Sequence, residues 1–170
     1  MYIRKKNKNA FRADHVQGLP NMNENSMLEF SIQDDDLVME HIHGIGFFSK
    51  NIKVTDVFKI NHKKIISLDL LDKTNIKSKK KSVVARGIAG DLLFGPVGAI
   101  IGGMSGAKTE IETKTIYFFN ISYYGKNKND IKSLIFKLYS DSKALEFIRE
   151  FNSKFMLEDS IINENGEIIL

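Results

Sequence analysis

The segment from Arg86 to Gly106 constrains this chain more than any other. It holds Gly87, Gly90, Gly95, Gly98, Gly102, Gly103 and Gly106, and no charged residue falls between Leu92 and Ala107. Gly98, Gly102 and Gly106 recur at four-residue spacing, so on a helix they share one face. Small residues so placed let two helix backbones approach closely. Gly95-Pro96 divides the stretch, because glycine suits the position past a helix end and proline the first turn of the next helix. The pattern predicts a helical hairpin at 82–106, with arms over 82–93 and 96–105. Each arm is roughly 15 Å long at about 1.5 Å of rise per residue.

The same segment excludes two readings. A membrane-spanning helix needs about 20 apolar residues. Here Arg86 and Asp91 interrupt the apolar run and Pro96 lies inside it, so a single span is not expected. Gly102 to Thr109 nearly matches the phosphate-binding loop G-x-x-x-x-G-K-[ST]. Ala107 stands where that loop needs glycine, and the β-branched and aromatic run from Ile111 reads as strand rather than helix. No nucleotide partner is expected. Two free arms would expose Ile88, Leu92, Leu93, Phe94, Val97, Ile100 and Ile101, so something must cover them. Three covers stay open: the chain's own domain, a second copy of the chain, or one leaflet of a membrane.

Around this segment the sequence reads as antiparallel β-structure. Met27–Ile32 alternates with period two, Gln33–Asp36 is a turn, and Leu37–Ile42 returns. Gly46–Ser49, Val54–Ile60 and Ile65–Leu71 read as further strands. Beyond the glycine-rich stretch, Thr115–Tyr124 and Ile131–Tyr139 form a hairpin around Gly125–Asp130. Ala144, Phe147, Ile148, Phe151 and Phe155 then repeat at three and four, which predicts an amphipathic helix over 141–156. Ser140, Asp141 and Ser142 are candidate caps for it. Residues 1–26 read as a polar, irregular arm with Gly18-Leu19-Pro20 as its landmark. Residues 158–170 read as an acidic tail with an apolar end.

This order of elements resembles small PH-like, GRAM-like domain proteins of bacteria and phage that carry a glycine-rich insert. The matching residues are Gly18-Leu19-Pro20, the acidic turn at Asp34–Asp36, the run Phe58–Ile65, and above all Leu93 to Gly103. The resemblance implies an α+β fold: an antiparallel barrel over 27–157, with a C-terminal helix at one open end and the hairpin inserted between two strands. In PH domains the familiar lipid pocket lies at the first strand–strand loop and needs Lys and Arg. With that loop read as Asp34–Asp36, phosphate would be repelled.

Composition narrows the function classes. The 170 residues, 42% hydrophobic and 27% charged, suit one soluble domain. Cysteine is absent, and His15, His41, His43 and His62 are scattered, so neither a disulfide framework nor a metal site is expected. No nucleophile motif or His/carboxylate cluster has a legible spacing, so the chain is expected to be neither an enzyme nor cofactor-dependent. The charged N-terminus has no apolar core of a signal peptide, and the expected location is cytoplasmic, peripheral at the inner membrane face if lipid is the partner. Net charge is +4. One basic cluster comprises Arg4, Lys5, Lys6, Lys8 and Arg12, and a second comprises Lys77, Lys79, Lys80 and Lys81. Such clusters attract an anionic membrane or nucleic acid. The expected function is a binding module, associating with membrane or with itself through Gly87, Gly90, Leu92, Leu93, Phe94, Gly95, Pro96, Gly98, Ile100, Ile101, Gly102 and Gly106. The alternative is nucleic-acid binding through the basic clusters, with Tyr117, Phe119, Tyr123 and Tyr124 stacking on bases.

Overall fold

Alternating side chains build most of the strands. In the computed structural model, residues 1–7, 10–44, 50–71, 117–138, 140–156, 161–162 and 168–169 are described. Eight strands form one antiparallel sheet: β1 (Tyr2–Lys5), β2 (Phe11–Gln17), β3 (Met27–Gln33), β4 (Asp36–Gly44), β5 (Asn51–Asn61), β6 (Ile65–Leu71), β7 (Tyr117–Tyr124) and β8 (Ile131–Leu138). Their order is β1-β5-β4-β3-β2-β8-β7-β6. β2 to β5 make one meander and β6 to β8 another.

β2 joins the two meanders. Its first half, Phe11 to Asp14, pairs with β3, and its second half, Asp14 to Gln17, pairs with β8. The register shifts between His15 and Gln17, as a bulge would make it, and bulges bend a strand. One sheet thereby curls round the main core, while Ile42, Ile52 and Val54 form a separate small cluster between β4 and β5. β5 and β6 are consecutive in sequence yet far apart in the sheet order, and the short helical turn His62–Lys64 bridges them.

The helix α1 (Ser142–Phe151) lies against β2 and β6 and sends Ala144, Phe147 and Phe151 into the core. There Phe147 meets an aromatic cluster. Phe11 stacks on Phe30 with centroids 4.7 Å apart, and Phe119 meets Phe30 edge-on at 5.5 Å. Phe147 stands edge-on to Phe119 at 6.2 Å, a geometry aromatic pairs favour. Lys143, Glu146 and Arg149 face outward, and Ile148 is half-buried.

The structure corrects three expectations. The first 26 residues are not irregular, since β1 and β2 lie within them. The capping residues form no side-chain cap: Asp141 has helical dihedrals, and the Ser140 and Ser142 hydroxyls pair with each other at 3.0 Å. The helix does not run as α-helix to 156 but widens into a π turn over Asn152–Met156. In that turn Phe155 stacks on His62, with centroids 4.3 Å apart. In the tail, Ile161–Ile162 (β9) and Ile168–Ile169 (β10) pair with each other rather than extending the barrel. The strand expected at Gly46–Ser49 and the start of the one expected from Thr115 lie outside the described residues.

Candidate functional site

The residues assigned to association lie within 72–116, outside the described residues. They are Gly87, Gly90, Leu92, Leu93, Phe94, Gly95, Pro96, Gly98, Ile100, Ile101, Gly102 and Gly106, with Lys77, Lys79, Lys80 and Lys81. The expected helical hairpin lies there too. The described residues supply its base. β6 ends at Leu71 and β7 begins at Tyr117, and Leu71 pairs in register with Phe118. Both are buried, at 3% and 2% exposure. Opposed residues in an antiparallel pair stand about 5 Å apart, so the excursion departs and returns at one fixed point. Tyr117 pairs with Leu138, the last residue of β8, from which the chain passes into α1. Leu71, Tyr117 and Leu138, which leads towards α1, therefore lie at the same end of the sheet.

Recognising β2 moves the first loop of the meander. It is not Asp34–Asp36 but the segment 18–26, which carries Glu24 and neither Lys nor Arg. Buried His15 organises this loop. Its Nε2 accepts from the Leu19 amide at 3.2 Å, which fixes the proton on Nδ1, and Nδ1 donates to the Asn23 carbonyl at 3.1 Å. Gly18 has a φ of +107°, and a Cβ there would lie 2.8 Å from Leu134 Cδ2 and against the Ser133 carbonyl. The Gly-Leu-Pro landmark is thus a packing requirement of the β2–β3 loop.

The acidic turn is a clamp between elements. The Asp35 carbonyl accepts from the His62 amide at 2.9 Å, and Lys154 Nζ donates to the Asp34 carbonyl at 2.7 Å. His41 lies beside Asp56, Nδ1 to Oδ2 at 3.0 Å, and its ring meets that of His43 at 4.3 Å. The His41 hydrogen bond, then that from Thr55, holds the Asp56 carboxyl below its usual range. Among the described residues, no three side chains converge as metal ligands.

Sequence reading missed a buried ion cluster on the outer face of the first meander. Glu29 and Glu40 are 3% and 6% exposed. Arg4 Nη2 donates to Glu29 at 2.5 Å, and Arg4 Nε donates to Glu40 at 3.1 Å. Arg12 Nε donates to Glu29 at 2.8 Å, and the Tyr2 hydroxyl donates to Glu40. In a flat sheet β1 and β3 would be about 14 Å apart at roughly 4.8 Å per strand, beyond the reach of an arginine. The sheet must therefore curl so that β1 overlies this face. Burial disfavours charge on Arg4, but its bonds to Glu29 and Glu40 outweigh that and raise its pKa. Arg4 and Arg12, read as part of a basic patch, are neutralised here.

A family model described as glycine zipper containing PH domain matches residues 21–148. The chain belongs to this family. In this glycine-zipper PH domain the match runs from the β2–β3 loop into α1 and includes the glycine-rich stretch 86–106. β1 and β2 precede the matched residues. No curated protein and no solved structure matches the chain. No helix among the described residues is long and apolar enough to cross a membrane.

Proposed function

We propose that this PH domain is a non-enzymatic interaction module whose barrel serves as a rigid platform for the glycine-rich insert, through which it associates with an anionic membrane surface or a second copy of itself. The observation that carries this reading is the pairing of buried Leu71 with buried Phe118. An apolar, glycine-spaced segment is tethered at both ends to one point of a packed sheet. A tether of that kind limits the orientations the segment samples and so lowers the entropic cost of binding. In the membrane version, Lys77, Lys79, Lys80 and Lys81 attract anionic headgroups while the apolar arms enter one leaflet, each lysine contributing about 1 kcal/mol. The protein would then sit peripherally at the inner membrane face. In the self-association version, the faces of Gly98, Gly102 and Gly106 from two copies pack together.

Nucleic-acid binding is the weaker alternative. Phe119, one of four rings proposed to stack on bases, is fully buried, and the arginines of the N-terminal cluster are paired with glutamates.

Gly98→Leu and Gly102→Leu separate the versions. Both block close helix contact while adding hydrophobicity. Loss of the oligomer in light scattering supports packing, whereas retained or stronger co-sedimentation with anionic liposomes supports lipid insertion. Variants unchanged in stability, oligomeric state and liposome binding would exclude the insert as the functional element.

A further inference from the structure

A separate feature lies where the barrel is split. β5 and β6 do not pair, and the turn Asn61–Lys64 spans the gap between them. A cleft of about 470 Å³ opens there, lined by Lys59, Lys64, Lys126, Lys132, Tyr123 and Tyr124. Asp36 also lines it, one carboxylate oxygen accepting from the Asn61 side-chain amide at 3.1 Å. Lys132 makes only a long contact with Asp130, at 3.8 Å. Lys59, Lys64 and Lys126 have no side-chain partner among the described residues. Four lysines thus line one cleft that has the Asp36 carboxylate in its wall and the Asp130 carboxylate at its edge beside Lys132, so basic groups outnumber acidic ones there by two. Elsewhere in the fold buried charge is compensated, as at Arg4, Glu29 and Glu40.

We infer that this cleft is a binding site for a phosphate-bearing anion, with the lysines supplying charge and the tyrosine hydroxyls supplying hydrogen bonds. The chemistry follows from the donors. Lysine is a point-charge phosphate binder, and several around one concavity sum their fields on a multiply charged group. Tyr123 keeps its proton at neutral pH as an ordinary phenol does, and burial, then the nearby Asp130, push its pKa further up. It therefore donates rather than competes as an anion. The site uses no residue of 72–116 and differs from the β2–β3 loop, which carries no basic residue. The anion is either the headgroup of a phospholipid or a soluble phosphate ester.

The test titrates inorganic pyrophosphate into the full chain at constant ionic strength, followed by heteronuclear NMR, beside co-sedimentation with phosphatidylcholine vesicles with and without phosphatidic acid. The expected result is saturable binding, with shifts centred on Lys59–Lys64 and Tyr123–Lys132. Lys59→Gln and Lys126→Gln should each weaken it roughly tenfold, the size of one lost charged hydrogen bond. Lys50→Gln, an exposed lysine outside the cleft, should leave it unchanged. Phosphatidic acid binding that weakens in the cleft variants assigns the phosphate to a lipid, and pyrophosphate binding with no cleft-dependent vesicle binding assigns it to a soluble ester. Vesicle binding that persists undiminished in the cleft variants belongs to the insert. Absence of saturable pyrophosphate binding overturns the inference, as does equal weakening by Lys50→Gln and Lys59→Gln.

Discussion

Glu29 and Glu40 stand directly opposite each other on β3 and β4, both buried, and one guanidinium, that of Arg4, donates to both. Like charges opposed across a strand pair are destabilising unless neutralised. β1 is therefore held both by its four-residue ladder with β5 and by the charge it delivers to the two glutamates. Arg4→Ala should cost about 2–4 kcal/mol in urea unfolding, because two buried carboxylates lose a shared partner. In a Glu29→Gln, Glu40→Gln background the same change should cost clearly less, since contacting residues are not additive. Equal costs in both backgrounds would refute the neutralising role.

Tyr2 belongs to the same cluster and links it to pH. Its hydrogen bond to Glu40, then burial, raise the phenol above its ordinary value. A raised folded-state pKa means a stabilising contribution fully present below about pH 10 and lost as pH rises through the folded value. Tyr2 is 44% exposed, so the effect is small, under about 1 kcal/mol. The stability difference between wild type and Tyr2→Phe should shrink above pH 10 in alkaline unfolding curves. A constant difference would argue against the bond.

Gly18→Ala places a Cβ at positive φ and against β8, at Leu134 and the Ser133 carbonyl. A loss of about 1–3 kcal/mol is expected in thermal unfolding, from backbone strain and steric conflict. Amide shifts of Leu19 and Asn23 should move with it, because His15 ties both to β2. An unchanged midpoint would mean that the loop relaxes without consequence.

Phe151 is fully buried in the face of α1 that closes the barrel. Phe151→Ala should destabilise by about 3–5 kcal/mol, the range for a large core aromatic. Half-buried Phe155, stacked on His62, should cost nearer 1 kcal/mol when truncated. A loss under about 1 kcal/mol for Phe151 would show that the helix is not docked.

Legibility followed the range of the interactions. Met27–Gln33, Ile65–Leu71 and Ile131–Leu138 were readable because their alternation reports a nearby apolar face, and the helix because Ala144, Phe147 and Phe151 recur at its period. β2 was not, since Phe-Arg-Ala-Asp-His-Val-Gln places a small Ala13 and a hydrogen-bonding His15 on its buried face and reads as polar. β1 was not, because Arg4 finds its partners twenty-five and thirty-six positions away. The missed β2 in turn misplaced the first loop. The lysine cleft joins residues from β5, the His62–Lys64 turn and the β7–β8 hairpin, and nothing local announces it.

The central claim is that association resides in the insert, and sedimentation velocity tests it most directly. The intact chain is compared, with and without anionic vesicles, with a variant in which 72–116 is replaced by Thr-Asn-Gly. Leu71 pairs with Phe118, so the added Thr falls opposite Tyr117 and Asn-Gly makes a two-residue turn that keeps the register of β6 and β7. The account predicts that the intact chain sediments as an oligomer or with the vesicles, while the shortened chain is a folded monomer that does neither. A shortened chain that still associates as the intact one does, or an intact chain that remains a free monomer beside the vesicles, would contradict it.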